Sequence, residues 1–163
     1  MRGSDKRFVF KLKDPYMDKS LYSDPTQCPS CGLIYHKKRW INNSELLKNI
    51  KENEKRIEQK DCPACRKIKD KYPLGIVEIK GEFVSKKNEE IHSRVKHIAA
   101  DEYIHNPLER IISVKDEGDK ITIETTTEHL AEKIGKSIAK TFKKNIKITF
   151  SESDKFVRVF VGE

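Results

Sequence analysis

The sequence contains no apolar run approaching the roughly 18 residues needed to cross a bilayer. It also has no basic start leading through an apolar stretch to a small-residue cleavage site. A membrane-spanning or secreted protein is not expected; a cytoplasmic one is. Tryptophan occurs once and methionine twice, and hydrophobic residues make up only 36% of the 163, against 37% charged. That composition sits at the polar edge of globular chains and leaves little material for a large core. The length suits one domain with an appendage, or two small units. Also missing are a Walker loop, a dinucleotide-binding GxGxxG, a nucleophile elbow and HExxH.

Cysteine is scarce but not scattered. The four occur as Cys28-Pro29-Ser30-Cys31-Gly32 and Cys62-Pro63-Ala64-Cys65-Arg66. Each CPxC unit can turn back so that two sulfurs face one point, and two such units supply the four thiolates that tetrahedral structural zinc prefers. Gly32 suits a positive φ after the second ligand. A redox CxxC normally sits where a strand enters a helix near a βαβ pattern, a setting missing here, and disulfides are the remaining alternative. Zn2+ held by Cys28, Cys31, Cys62 and Cys65 is the expectation, with His36 left outside because four sulfurs complete the shell.

The interval between the pairs opens with Leu33 to Ile41, expected as an extended arm, and continues from Ser44 to Lys60 as a helix. Asn43 or Ser44 can cap that helix, with Leu46, Leu47, Ile50 and Ile57 as its apolar stripe. Within the arm, Tyr35, Lys37, Lys38, Arg39 and Trp40 place aromatic rings beside cations, as stacking plus phosphate contact requires. Trp40 and Tyr35 can equally pack on the metal module, leaving the cations as its solvated face. Earlier in the chain, Arg7 to Lys13 reads as an arm or a strand, and Arg2 to Lys6 as a mobile end.

Charge follows the same division. The formal net charge is +8, yet residues 1–82 carry 19 basic and 12 acidic side chains against 15 and 14 in residues 83–163. Two units are expected, 1–72 and 73–163, with most of the excess charge in the first.

From Tyr72 onward the pattern changes. Ile76 to Val84 reads as an extended segment bent at Gly81, and Lys86 to Tyr103 as a helix capped by Ser85. Leu108 to Val114 and Ile121 to Thr126 read as a hairpin around Gly118. A helix over 128–144 follows, capped by Thr127, with Leu130, Ala131, Ile134, Ile138, Ala139 and Phe142 on one side. Ile146 to Phe150 and Phe156 to Val161 finish as a pair. The fold class predicted is α+β: a four-cysteine zinc-ribbon-like module with a helical insertion, then a ferredoxin-like βαββαβ sandwich with an extra C-terminal strand at an edge. A KH module needs GxxG, and Gly135-Lys136-Ser137-Ile138 lacks the second glycine; Gly135 is expected to permit close helix packing.

Glu128, Glu132, His129 and Thr125 to Thr127 offer polar groups at a strand-to-helix junction, but spacing alone does not make an acid/base pair. Helix capping and solvated charge explain them, so a non-catalytic protein is expected.

Asp14-Pro15-Tyr16, CPSCGLIYHKKRW, CPACRKIKDKYPLG, Asn106 to Ile111, TTTEHLAEKIG and Val157-Arg158-Val159 follow one another in an order that resembles a family of small bacterial and archaeal twin-CPxC proteins. The chain is also distantly similar to part of the export adaptor family of the large ribosomal subunit, whose members have more cysteines and further domains. This resemblance implies a role near RNA or the ribosome. The expected function is a zinc-containing RNA-binding or ribosome-associated protein that meets RNA through Tyr35, Lys37, Lys38, Arg39, Trp40, Arg66, Lys67 and Lys69. The alternative is a non-catalytic protein–protein adaptor, including one that pairs with itself as a homodimer.

Overall fold

Val77, Ile79, Ile121, Ile123, Val157, Val159 and Val161 are all buried and alternate with exposed or half-buried residues, so neighbouring strands send every second side chain to one face. The computed structural model describes residues 13–53 and 56–163. The expectations for Arg2 to Lys6 and for Arg7 to Leu12 lie outside them.

In the first half, 3₁₀ turns at Pro15–Met17 and Lys19–Leu21 lead into β1 (Thr26–Gln27), β2 (Ile34–His36), β3 (Arg39–Ile41), α1 (Ser44–Asn53), β4 (Glu58–Gln59) and α2 (Pro63–Asp70). A small sheet forms in the order β3-β2-β1-β4. The expected extended arm is thus a hairpin, β2 against β3, reversed by Lys37 and Lys38 at φ 48° and 64°. Asn43 caps α1 by accepting from the Leu46 amide at 3.0 Å. Ile57, expected on the helical stripe, lies beyond α1 and is half-buried next to β4.

The second half runs β5 (Gly75–Lys80), α3 (Glu82–Lys86), α4 (Asn88–His105), β6 (Ile111–Asp116), β7 (Lys120–Thr125), α5 (Glu128–Phe142), β8 (Asn145–Phe150) and β9 (Val157–Gly162). The fold is α+β as expected, a four-cysteine module with a helical insertion followed by a mixed sheet layered with helices. Two details differ. Phe83 and Val84 belong to α3 rather than to an extended segment, because Gly81 at φ 140° breaks β5 and the chain turns so that both side chains enter the core. The final strand is not at the edge: the order is β6-β7-β5-β9-β8, with β9 parallel to β5 and antiparallel to β8.

Helix α5 crosses β5 and β9 and packs on α4. Thr127 Oγ1 accepts from the Leu130 amide at 3.1 Å, capping it as predicted. Gly135 lets α5 sit close: a Cβ there would lie 2.2 Å from Cγ1 of Val159. Leu130, Ala131, Ile134 and Ile138 are fully buried under it, with Ile91, Val95 and Ile98 contributed by α4.

Candidate metal centre

The first CPxC unit follows β1. The Cys28 amide donates to Leu33 O at 2.8 Å and the Gly32 amide to Cys28 O at 2.9 Å, closing a tight knuckle with Gly32 at φ 80°. The second unit starts α2. Cys62 is its N-cap, its sulfur accepting from the Cys65 amide at 3.4 Å, and Pro63 takes the first helical position, where a missing N–H costs nothing.

The four Sγ atoms lie within 4.8 Å of one another, Cys31 and Cys62 at 3.7 Å. A tetrahedron with metal–sulfur bonds of ~2.3 Å has sulfur–sulfur edges of about 3.8 Å. Cys28, Cys62 and Cys65 are buried and Cys31 half-buried, all four as free thiols. The set is closed, with no fifth donor required, and suits a structural rather than a catalytic ion.

A charge from the other half completes the surroundings. Arg110 donates from Nη2 to Cys31 at 3.1 Å and from Nη1 to Cys65 at 3.3 Å, with Cys62 3.9 Å from Nη2. Its Nε donates to Pro107 O at 2.9 Å, its amide to Thr126 Oγ1 at 2.9 Å, and Tyr103 lies 5.7 Å beneath the guanidinium. Four thiolates around a divalent ion leave two negative charges, and one guanidinium offsets part of that excess. Burial opposes the charge on Arg110, but hydrogen bonding to Cys31 and the nearby sulfurs raises its pKa above the ordinary value. Among the metal-free thiols, a hydrogen bond from Cys62, with Arg110 assisting, pulls Cys31 down to about 4. The same bond and burial push Cys62 upward, and burial pushes Cys65 up to about 11.

The expected RNA-contacting residues separate into distinct environments. Tyr35 and Trp40 are buried, forming an aromatic cluster with Tyr22, whose ring meets Trp40 edge-on at 4.8 Å. Lys37, Lys38 and Arg39 are exposed at the hairpin tip, and Asp24 steadies that hairpin by accepting from the Lys37 amide at 2.9 Å and contacting His36 Nδ1 at 2.8 Å. Arg66 stacks over Tyr16 at 5.0 Å, and Lys69 pairs with Asp61. Lys67, expected on the basic surface, is only 2% exposed: it pairs with Asp14 and donates to Thr126 O at 2.8 Å, which removes it from any polyanion-facing set.

Sequence reading missed Arg110 and the groove beside it. A cavity of about 790 Å³ opens between the halves, with Tyr35, Lys38, Arg39 and Trp40 on one wall and Tyr103 and Asn106 on the other. Its far wall belongs to the end of α4 and the Asn106-Pro107-Leu108 turn, placed there because Leu108 enters the same apolar cluster as Leu33, Cys62 and Tyr22.

In the second half, His129 Nδ1 contacts both Glu109 oxygens at 2.9 and 3.0 Å and Glu102 at 3.6 Å, while Lys133 also pairs with Glu102. Lys133 thus offsets the Glu102 charge, and His129 is a polar partner for Glu109. No protein-family model, curated protein or solved structure matches this chain. Among the described residues no helix is long and apolar enough to cross a membrane.

Proposed function

We propose that this is a cytoplasmic zinc protein that binds single-stranded RNA, free or on a ribosomal particle, in the groove between its cysteine module (1–72) and its α+β domain (73–163). The groove carries the reading: half-buried Tyr103 on one wall faces exposed Lys38 and Arg39 on the other, setting a ring for an unstacked base opposite cations for phosphates, while the buried Tyr35 and Trp40 hold the wall that carries those cations. Support comes from the hairpin tip. Two successive non-glycine residues, Lys37 and Lys38, occupy positive φ, an unfavourable backbone that Asn-Gly would fill more easily, and such outliers cluster at functional sites. Arg66 and Lys69 extend the basic surface; Lys67 serves the fold. Zinc fixes the knuckle and the cap of α2, and a reducing compartment keeps the thiolates available.

The test is binding of zinc-loaded protein to oligouridylate across a salt series. Affinity at low micromolar concentration that falls with salt supports the reading, and Lys38→Glu with Arg39→Glu is expected to weaken it at least about tenfold. Salt-insensitive or undetectable binding overturns it. A protein adaptor is the second reading, favoured by Ile104 on the groove wall, 77% exposed beside Met17 at 41%. An apolar peptide would engage those side chains with little salt dependence.

A further inference from the structure

Among the described residues, helices cover only one face of the five-stranded sheet. On β5 the residues facing away from them are Ile76, Glu78 and Lys80; on β9, Arg158 and Phe160; and none of these is buried. Phe160 sits centrally, in register with Glu78 on one neighbour and Lys147 on the other, and is 36% exposed. Its ring lies back over Gly162, where a Cβ would come within 3.0 Å of Cζ, so the glycine lets the ring recline on the sheet. Two residues earlier, the Arg158 guanidinium stands 5.3 Å over Phe156. Phe156, just before β9, and Arg158 and Phe160 within it thus form an aromatic, cation, aromatic stripe.

We infer that this open face is a second surface for single-stranded RNA, with a base stacked on Phe160 and phosphates met by Arg158, Lys147 and Lys80. Charge chooses the occupant. Among the described residues no carboxylate lies within 4.0 Å of those three cations, whereas Glu78 is already taken by Lys120 at 2.6 Å. An aromatic ring between unpaired cations suits a polyanion with planar bases, since each base offers a stackable face and each phosphate a charge. The inference rests on the reading of the partner as RNA but uses none of the groove residues.

The experiment uses full-length zinc-loaded protein and 4-thiouridine-containing oligouridylate, with Phe160→Leu, a Lys147→Glu/Arg158→Glu pair, and the Lys38→Glu/Arg39→Glu pair in parallel. Phe160→Leu is expected to weaken binding by roughly 5- to 100-fold with zinc content and far-UV circular dichroism unchanged. The Lys147→Glu/Arg158→Glu pair should flatten the salt slope by about 1.4 if each cation meets one phosphate. Crosslinks should map to the peptide carrying Phe160. If the sheet variants bind as the parent does while the groove pair loses affinity, the inference falls and the groove reading stands; the reverse pattern sinks the groove and keeps the sheet. Loss in neither overturns both. Unchanged RNA binding with an altered sedimentation coefficient in the sheet variants assigns the face to a second copy of the chain, and the inference is wrong. Should Phe160→Leu misfold, the charge pair, lying wholly on the exposed face, carries the same test.

Discussion

Arg110 Nη2 lies 3.1 Å from Cys31 Sγ, although 79 residues separate them in the chain. The cysteines come from one half and the compensating cation from the other, so whatever fixes the sulfurs also fixes the Asn106 to Arg110 turn that walls the groove.

Replacing Arg110 by Met should retain one bound zinc but weaken its affinity by about 10- to 100-fold, the usual consequence of losing an outer-shell donor. Chelator competition checks this. Stripping zinc from the parent should change the fluorescence of Trp40, whose cluster includes Cys28, Cys62 and Cys65, while the core under α5 keeps its amide protection. Equal loss of protection in both halves would contradict the division.

The hairpin tip yields a trade between stability and binding. Lys37→Asn with Lys38→Gly relieves two positive-φ side chains and should raise stability by about 1 kcal/mol in urea titration. RNA affinity should fall at the same time, since both cations are gone. A variant that is both more stable and equally tight would remove the functional argument from these lysines.

Lys67→Met should cost about 3–5 kcal/mol, because Asp14 would be left with its carboxylate enclosed and its cation absent. Adding Asp14→Asn should restore a large part of the loss. Burial lowers the Lys67 pKa and Asp14 opposes that shift, consistent with a paired charge held for structure rather than for a ligand. Chemical denaturation of the two variants and their combination gives the coupling directly.

Asp116 ties the start of α4 to the end of β6. Asn88 and His92 donate to its Oδ2, each at 2.7 Å, and the Gly118 amide donates to Oδ1 at 2.9 Å. Hydrogen bonds from Asn88 and His92 lower its pKa from 3.8 to about 2. A carboxylate depressed in the fold stabilises it above the unfolded pKa and loses that contribution as pH falls through the folded one. The stability gap between the parent and Asp116→Asn should therefore be full above pH 4 and close as pH approaches 2, measured by thermal melts.

What could be read from sequence was whatever is local. Helix α5, its Thr127 cap and the close approach at Gly135 follow from short-range pattern, and the two CPxC units announce a common point for four sulfurs. Helix α2 does carry a helix-start signal in Pro63 after Cys62, but a CPxC knuckle uses the same two residues, so the local pattern does not separate helix from knuckle. Its phase would also have separated Lys67 from Lys69: residues 63, 64 and 67 share a buried face, while residue 69 points away. Phe83 and Val84 have strand-favouring side chains, and tertiary packing overrode that preference. Arg110 gave no local sign, since its partners are brought to it only by the docking of the halves.

The interior position of β9 fixes the order in which the molecule can be made. On a ribosome, β5 emerges early but pairs on one side with residues 157–161 of β9, and among the described residues β8 finds its only partner in that strand too. Until those residues leave the exit tunnel, the sheet lacks its second strand from the edge, and the core under α5 lacks Val157, Val159 and Val161. The second half must therefore fold after synthesis of this segment, whereas the four clustered cysteines of the first half are all present by residue 65, while translation continues.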